Sequence, residues 1–494
     1  MGVLSGLEPS AVWTEFEQIC RIPHGSGNCK VISDFLVRFG EEHGLFVRQD
    51  EHQNVIFKKS ATPGYEDQPP IILQGHMDMV AVATPESGID MRVTPLELQV
   101  EGDEICANHT SLGGDDGIAV AMCLALLKST DIPHPPLEVI LTTEEEVGMD
   151  GARAIDLSCL EGHRLLNLDS EEEGVFLAGC AGGARVTCLL PLDHIGSDGV
   201  KTLRENGIRV KIRISGLQGG HSGSEIHRGR ANANHLLGRL LSLIADEFPT
   251  MALIGVEGGL ADNAIPCEAT LTIAILKKDR NACHGLVERM ERDLREIYAV
   301  KDPQLALRIV EESPMLPGPL YIAVTPGDFL CSLPNGVQAM SADVEGLVET
   351  SLNLGILKMA QVEGAPFLHA EFSVRSSVEP AKELLIDQLR AVTALAGGIT
   401  GITGDYPGWK YRADSPLRDK MVRVYEQMYG KTPKVEAIHA GVECGLFSTK
   451  IEDLDCVSIG PDMRNIHTTE EHLSISSSKR TWEFLLGILA DRES

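Results

Sequence analysis

Apolar residues recur at helical spacing over residues 11 to 22 (Val12, Phe16, Ile19) and again over 29 to 39 (Val31, Phe35, Leu36). The turn Pro23-His24-Gly25-Ser26-Gly27 separates them. Four short runs, Ile71-Ile72-Leu73, Val139-Ile140-Leu141, Leu165-Leu166-Asn167-Leu168 and, much later, Val457-Ser458-Ile459, have the continuous apolar character of buried parallel strands. A polar or charged motif follows each run at once. In open α/β sheets ligands gather beyond the carboxyl ends of the strands, so motifs remote in sequence can converge there. Residues 118 to 127 predict a buried crossover helix, and residues 482 to 489 an amphipathic helix that closes the sheet.

The pattern changes at about residue 184. Alternation in Arg209-Val210-Lys211-Ile212-Arg213-Ile214 predicts a half-exposed antiparallel strand, followed by a Gly-rich loop and a helix over residues 232 to 245. A similar succession returns with a strand at 370 to 375, the turn Ser376-Ser377 and a helix over 379 to 396. The expected architecture is α/β. One domain, residues 1–184 and 404–494, has a mixed, mostly parallel sheet flanked by helices; an inserted α+β domain, 185–403, has two related halves. Gly404-Asp405-Tyr406-Pro407-Gly408 is the expected return linker.

A length of 494 residues also favours two domains over one. The formal net charge of -29 disfavours a nucleic-acid partner, because a phosphate backbone would be repelled. No run approaches the roughly 20 apolar residues needed to span a bilayer, and the first residues lack the layout of a signal peptide, so no membrane partner and a cytoplasmic location are expected. Twelve cysteines, scattered singly without a CxxC pair, read as reduced core thiols.

The motifs after the strands carry the chemistry. His76 lies in Gln74-Gly75-His76-Met77-Asp78, Asp115 in Gly113-Gly114-Asp115-Asp116-Gly117, Glu145 and Glu146 in Thr143-Glu144-Glu145-Glu146-Val147-Gly148, Asp169 in Leu168-Asp169-Ser170, and His467 in Ile466-His467-Thr468. Each has a bland reading by itself: a strand-end histidine, or a solvated acidic run of the kind expected at Glu171-Glu172-Glu173. Their coincidence at independent strand ends points to a hydrolase with two metal ions. Such a centre needs a bridging carboxylate, His or carboxylate ligands on either side, and a place for water. Asp115, at the strand-to-helix turn, is the candidate bridge; His76 with Asp169 would complete one ion, and Glu146 with His467 the other. Asp78 is spaced to accept the second ring N–H of His76, and Glu145 is left to act as the base.

With these residues in place, the chain resembles the metallopeptidases that include carboxypeptidase G, succinyl-diaminopimelate desuccinylase and aminoacylase, most closely the aminoacyl-histidine dipeptidase branch. The match runs from Phe16 nearly to the C-terminus and includes the His76, Glu145-Glu146 and Asp169 motifs, Gly219-Gly220-His221-Ser222-Gly223, Asn335-Gly336-Val337 and His439-Ala440-Gly441-Val442-Glu443-Cys444-Gly445. The resemblance implies the same five ligands, His76, Asp115, Glu146, Asp169 and His467, with Glu145 as general base and acid acting on a water shared by the ions. It also implies a cis Asp115-Asp116 peptide. Relatives in this branch often carry Asn after the bridge and Pro-His-Ser-Pro around the last ligand, where this chain has Asp116 and Ile466-His467-Thr468-Thr469.

By the same resemblance the inserted domain is a lid. His221 would stabilise the carbonyl oxygen, Asn263 and Arg375 would grip the substrate carboxylate, and Glu443 would meet a free α-amino group. Asn263 capping a turn and Arg375 pairing with an acid are the alternatives. The implied activity is hydrolysis of small peptide substrates, namely unblocked dipeptides with Xaa-His and carnosine-like substrates preferred, using two divalent ions: zinc first, cobalt or manganese as alternatives. An N-acyl amino acid amidohydrolase and a peptide-binding protein with lapsed catalysis are the competing readings. A homodimer is the expected assembly.

Overall fold

The computed structural model describes residues 2–342 and 344–492. The chain divides into two compact units, one formed by Met1–Cys180, Trp409–Ala437 and Val442–Ser494, the other by Ala181–Gly408 and Ile438–Gly441.

The first unit is built on an eight-stranded sheet in the order Phe46–Gln49, Val55–Lys59, Leu137–Thr142, Ile71–His76, Arg164–Asn167, Asp455–Ser458, Val175–Cys180, Lys434–Ile438. Its four central strands are parallel, and antiparallel pairings flank them on both sides. The sheet is therefore mixed, with the parallel part confined to the four apolar runs of the sequence. Every residue of Ile71–His76, Leu137–Thr142 and Asp455–Ser458 is buried. Helices Ser10–Ile19, Lys30–Glu42, Gly114–Lys128 and Ile475–Ala490 share one hydrophobic core with these strands. Helix Gly114–Lys128 is buried along its whole length except at Lys128.

Register sets the strand ends level. His76 pairs with Thr142, Gln74 with Asn167, and Asn167 with Ser458. The segments after these strands consequently emerge at one edge of the sheet. Gly460 shows how close two of these exits lie: a Cβ there would stand 1.6 Å from the carbonyl oxygen of Ser170, the neighbour of Asp169.

A four-stranded antiparallel sheet, Met463–Arg464, His472–Ser474, Glu104–Ala107, Leu98–Glu101, lies in the same unit. Pairing of Met463 with Leu473 and Arg464 with His472 closes the base of the loop that carries His467. No helix among the described residues is long and apolar enough to cross a membrane.

The second unit holds a nine-stranded antiparallel sheet. One half runs Ala306–Pro314, Gly207–Ser215, Ala269–Leu276, Ala252–Gly258; the other runs Ile399–Tyr406, Gly182–Pro191, Ala365–Ser376, Val348–Val362. Numbered within each half, both follow the order fourth, first, third, second. Helices Ala233–Glu247 and Arg280–Ile297 serve the first half, Val324–Ser332 and Glu379–Leu395 the second. The first half is inserted after the opening strand of the second.

The linker expected at Gly404–Gly408 lies mostly within this sheet. Thr403 pairs with Arg185 and Tyr406 with Gly183, and the register shift between them absorbs Gly404 and Asp405 as a bulge. Gly404 supplies the left-handed backbone (φ 58°) that such a bulge needs. Residues 438–441 belong with this unit because the amide of Ala181 donates to the carbonyls of Ile438 and Ala440, each at 3.1 Å.

Replacing Gly460 with alanine is expected to force apart the segments bearing Asp169 and Ile459. Equilibrium urea unfolding should show a loss of about 1–3 kcal/mol, the usual cost of overpacking, whereas an unchanged midpoint would contradict this packing.

Candidate metal centre

The two oxygens of Asp115 face different histidines. Oδ1 lies 3.0 Å from His76 Nε2, and Oδ2 lies 3.1 Å from His467 Nε2. His76 Nε2 is also 3.5 Å from Asp169 Oδ1, and His467 Nε2 is 3.0 Å from Glu146 Oε2. Donor atoms on a tetrahedral ion with bonds of about 2.0–2.2 Å stand roughly 3.3–3.6 Å apart; the Asp169 spacing lies in that range and the other three fall a few tenths of an ångström short of it, so a small spreading of the donors would admit two neighbouring cations that share one carboxylate. Two independent observations support the fit. Glu146 Oε1 is buried with no hydrogen-bond partner among the described residues. His76 donates from Nδ1 to the backbone carbonyl of Asp78 at 3.0 Å, which turns the lone pair of Nε2 toward Asp115 and Asp169. The donors are nitrogen and oxygen, a set that zinc, cobalt or manganese accepts.

This geometry corrects the sequence expectation for Asp78. Its carboxylate is 3.6 Å from His76 Nδ1, beyond a hydrogen bond. It instead accepts from Ser26 Oγ at 2.8 Å and from the amides of Glu145 at 3.1 Å and Glu146 at 3.4 Å. Asp78 therefore anchors the loop that presents both glutamates. Glu144, in the left-handed region at φ 58°, accepts the amide of Gly27 at 2.8 Å. Thus the acidic run is divided: Glu144 ties down the loop, Glu145 clusters with His76 and Glu146, and Glu146 also meets His467. The other acidic run is not simply solvated either, because Glu173 receives a two-pronged contact from Arg480.

Two supports gain their role only from the structure. Glu471 is buried, and its carboxylate accepts the amides of Leu112 (2.8 Å), Gly113 (3.1 Å), Gly114 (2.8 Å) and Asp115 (3.4 Å). It cradles the turn that aims Asp115. That turn contains a cis Asp115–Asp116 peptide, as the resemblance implies, and Gly113 at φ 66°. The second support is Asp116, fully buried, whose Oδ2 accepts the amide of His76 at 3.1 Å. Burial, reinforced by the charge of Asp169, raises its pKa well above the carboxylate range. A protonated Asp116 has nearly the shape of an asparagine.

Without cations the centre carries more buried negative charge than it can offset. Burial raises Asp169 to about 6 and Glu443 to about 8. Burial also raises Glu145 well above the ordinary range, aided by the charges of Asp169, Glu443 and Glu146 and opposed by His76. Hydrogen bonds that His467 donates to Asp115 and Glu146 lift its pKa to about 10. For His76, burial opposes the charged form, but Asp115, Asp169 and Asp78 outweigh it and raise the pKa. Asp115 moves the other way: despite burial, its contacts with His467 and His76 hold its pKa low. Divalent ions would supply the missing positive charge.

Glu443 lies beside this cluster at the start of helix Cys444–Lys450, with no exposed surface. Its Oε2 accepts from Gln74 Nε2 and from Thr142 Oγ1, the latter at 2.7 Å, and Asn167 donates in turn to Gln74. Its Oε1 is buried without a partner among the described residues. Gln74, Thr142 and Asn167 had no assigned role in the sequence; the signal was a polar residue set into each apolar strand.

His221, Asn263 and Arg375 belong to the second unit. His221 Nδ1 accepts the amides of Gly223 (3.2 Å) and Ser224 (3.1 Å), so Nε2 carries the proton. Burial and the charge of Arg375 lower its pKa and keep the ring neutral. Arg375 donates from Nη1 to the Tyr406 hydroxyl at 3.2 Å, while its Nε is buried without a partner among the described residues. Asn263 is exposed at a turn, where its backbone carbonyl accepts the amide of Ser222 at 2.8 Å. His439, quoted only within a motif at first, bonds Ser351 through Nε2 at 2.7 Å; burial and Arg375 lower its pKa to about 3.

Glu471→Ala would strand four amides, at least three of them well bonded, so a stability loss of about 3 kcal/mol or more is expected from roughly 1 kcal/mol per buried bond lost. Elemental analysis should also show reduced cation content; a variant as stable and as metal-rich as wild type would refute the cradle. A second expectation concerns pH. Asp169, Glu443 and His467 have raised folded-state pKa values, so each keeps a proton in the folded chain that the unfolded chain has released, and stability is lost as pH rises through about 6, 8 and 10. The low pKa of Asp115 is already fully expressed above its unfolded value and adds no slope there. Thermal unfolding of cation-free protein should therefore show a falling Tm between about pH 6 and pH 9, with added zinc reducing the fall; a rising Tm would have the wrong sign.

Comparison with known proteins gives this arrangement its relatives. The family model described as peptidase family M20/M25/M40 matches residues 72–491. The cytosol non-specific dipeptidase of Escherichia coli (strain K12) is 37% identical over 494 residues, covering 99% of each chain. Aminoacylhistidine dipeptidase from Vibrio alginolyticus superposes with a TM-score of 0.89 at 34% identity, covering 100% of this chain and 99% of that one. Aminopeptidase PepT from Bacillus cereus shares the fold, with a TM-score of 0.60 at 14% identity over 98% of each chain. With four further candidate ligands gathered around Asp115 and the family model matching most of its length, the chain belongs to peptidase family M20/M25/M40.

Proposed function

We propose that this protein is a cation-dependent dipeptidase of the cytoplasm that hydrolyses unblocked dipeptides, Xaa-His and carnosine-like substrates among them. The observation that carries the reading is the shared carboxylate of Asp115 with Glu145 beside it. The names of the E. coli and Vibrio relatives, both dipeptidases, support the substrate class.

His76 and Asp169 would hold one cation and Glu146 and His467 the other, with Asp115 common to both. When bound, the pair, zinc in the first instance, polarises the scissile carbonyl and lowers the pKa of water. Glu145 takes the proton of the attacking water and returns it to the leaving amine nitrogen. Its raised pKa in the cation-free cluster marks a group that holds a proton readily. Asp78 fixes where Glu145 stands by holding its amide. Glu443, with an unpartnered oxygen, receives the free α-amino group, which favours a dipeptide over an N-acyl amino acid. His221 Nε2–H donates to the carbonyl oxygen as charge develops there. Arg375 and Asn263 hold the terminal carboxylate, the former through the fork of its guanidinium.

Purified protein of known metal content should hydrolyse a panel of free dipeptides and leave their N-acetylated forms intact. Glu145→Gln should lose about 10²–10⁴-fold in kcat while retaining cations and peptide. Cleavage of the acetylated series in preference would establish the amidohydrolase reading, and an inactive, fully metallated wild type would establish the binding protein.

A further inference from the structure

The small sheet of the first unit gathers a second, chemically different set of metal-type donors. Ligand atoms of Glu101, Cys106 and His472 lie within 4.8 Å of one another. Register explains why. Gln99 pairs with Cys106 and Glu101 with Glu104, so Glu101 and Cys106 share a face of the Leu98–Glu101/Glu104–Ala107 hairpin. Leu473 pairs with Ile105, which brings the preceding residue, His472, alongside Cys106 on that same face. The opposite face is anchored, because Ile105 and Leu473 are completely buried.

His472 donates from Nδ1 to the carbonyl of Glu470 at 2.7 Å, so Nε2 is the ring nitrogen with a lone pair to offer. Arg464, the cross-strand neighbour of His472, is tied to Glu104, and its charge is thereby drawn to that carboxylate. Cys106 is nearly buried while Glu101 is exposed, giving a sulfur donor on the inner side and a solvent approach on the outer.

We propose that Cys106, His472 and Glu101 form a third cation site, of the zinc type, on the face of this sheet. A thiolate, an imidazole and a carboxylate are a borderline-soft set, distinct from the nitrogen and oxygen donors around Asp115. Three protein donors leave a fourth position for water. Binding converts the Cys106 thiol to a thiolate and releases its proton to solvent, with no change of oxidation state.

The site has a mechanical consequence. His472 directly follows Glu471, whose carboxylate cradles the Asp115 turn, and its strand closes the loop bearing His467. A cation joining His472 to the Glu101/Cys106 hairpin therefore braces the segment that holds the catalytic pair. This consequence rests on the cation-pair reading; the third site does not.

Cobalt(II) separates the two. Cobalt bound to thiolate gives an intense near-ultraviolet charge-transfer band, which nitrogen and oxygen ligands do not. Titration of the metal-free full chain with cobalt is expected to develop that band in wild type. It should be absent in Cys106→Ser and at least tenfold weaker in cobalt affinity in His472→Gln. No band in wild type, or a band that persists in Cys106→Ser, would overturn the site whether or not the protein proves to be a dipeptidase. Chelator-driven release of the two remaining cations should be slower in wild type than in Cys106→Ser; equal rates would overturn the bracing.

Discussion

One buried carboxylate facing two imidazoles organises this protein. Asp115 must present an oxygen to His76 and another to His467, which lies 352 positions further along the chain. Both demands are met only if the turn before helix Gly114–Lys128 holds one conformation, and the structure secures it from several directions. Gly113 supplies a left-handed backbone, the wholly buried helix immobilises the C-terminal side of the turn, and Glu471 satisfies the turn's amides from the far end of the chain. The C-terminal segment thus contributes twice, with a candidate ligand in His467 and a cradle in Glu471. Concentrating so many acids in a buried space is costly unless opposite charge accompanies them. Here divalent cations would supply that opposite charge.

The parallel strands do the gathering. Because their ends are level, each exit is worth one functional segment: His76 and Asp78 from one, the three glutamates from the next, Asp169 from the third, and the segment leading to His467 from the last. Behind them Gln74, Thr142 and Asn167 form a polar layer inside an otherwise apolar sheet, and that layer positions Glu443. Polar groups at such depth are retained only when bonded, so the layer and Glu443 depend on one another. The antiparallel second unit has a separate plan in which one strand order is used twice.

Much of this was legible in the sequence because the parallel strands are buried on both faces and so appear as unbroken apolar runs, each ending in a conspicuous polar motif. The edge strands Phe46–Gln49 and Lys434–Ile438, half exposed and short, carry no such signature. The return linker was misplaced because Gly404 reads equally as a turn or as a bulge, and only pairing with Arg185 and Gly183 distinguishes them. Asp78 lies close to His76, as its spacing predicts, but its bond goes to the glutamate loop. Spacing alone cannot tell which of two nearby donors a carboxylate will meet. Glu471 escaped notice, and Asp116 was noted only as a departure from Asn and as half of the cis peptide, for a related reason: their partners are backbone amides, which leave no trace in a sequence. The family resemblance supplied ligand roles and the cis peptide; it offered nothing on Glu471.

The most direct test of the shared carboxylate is crystallography of the zinc-loaded protein with anomalous scattering at the metal edge. The account predicts two peaks on either side of Asp115, one within bonding distance of His76 and Asp169 and the other of Glu146 and His467. A single peak, or a pair that leaves Asp115 uncoordinated, would contradict it.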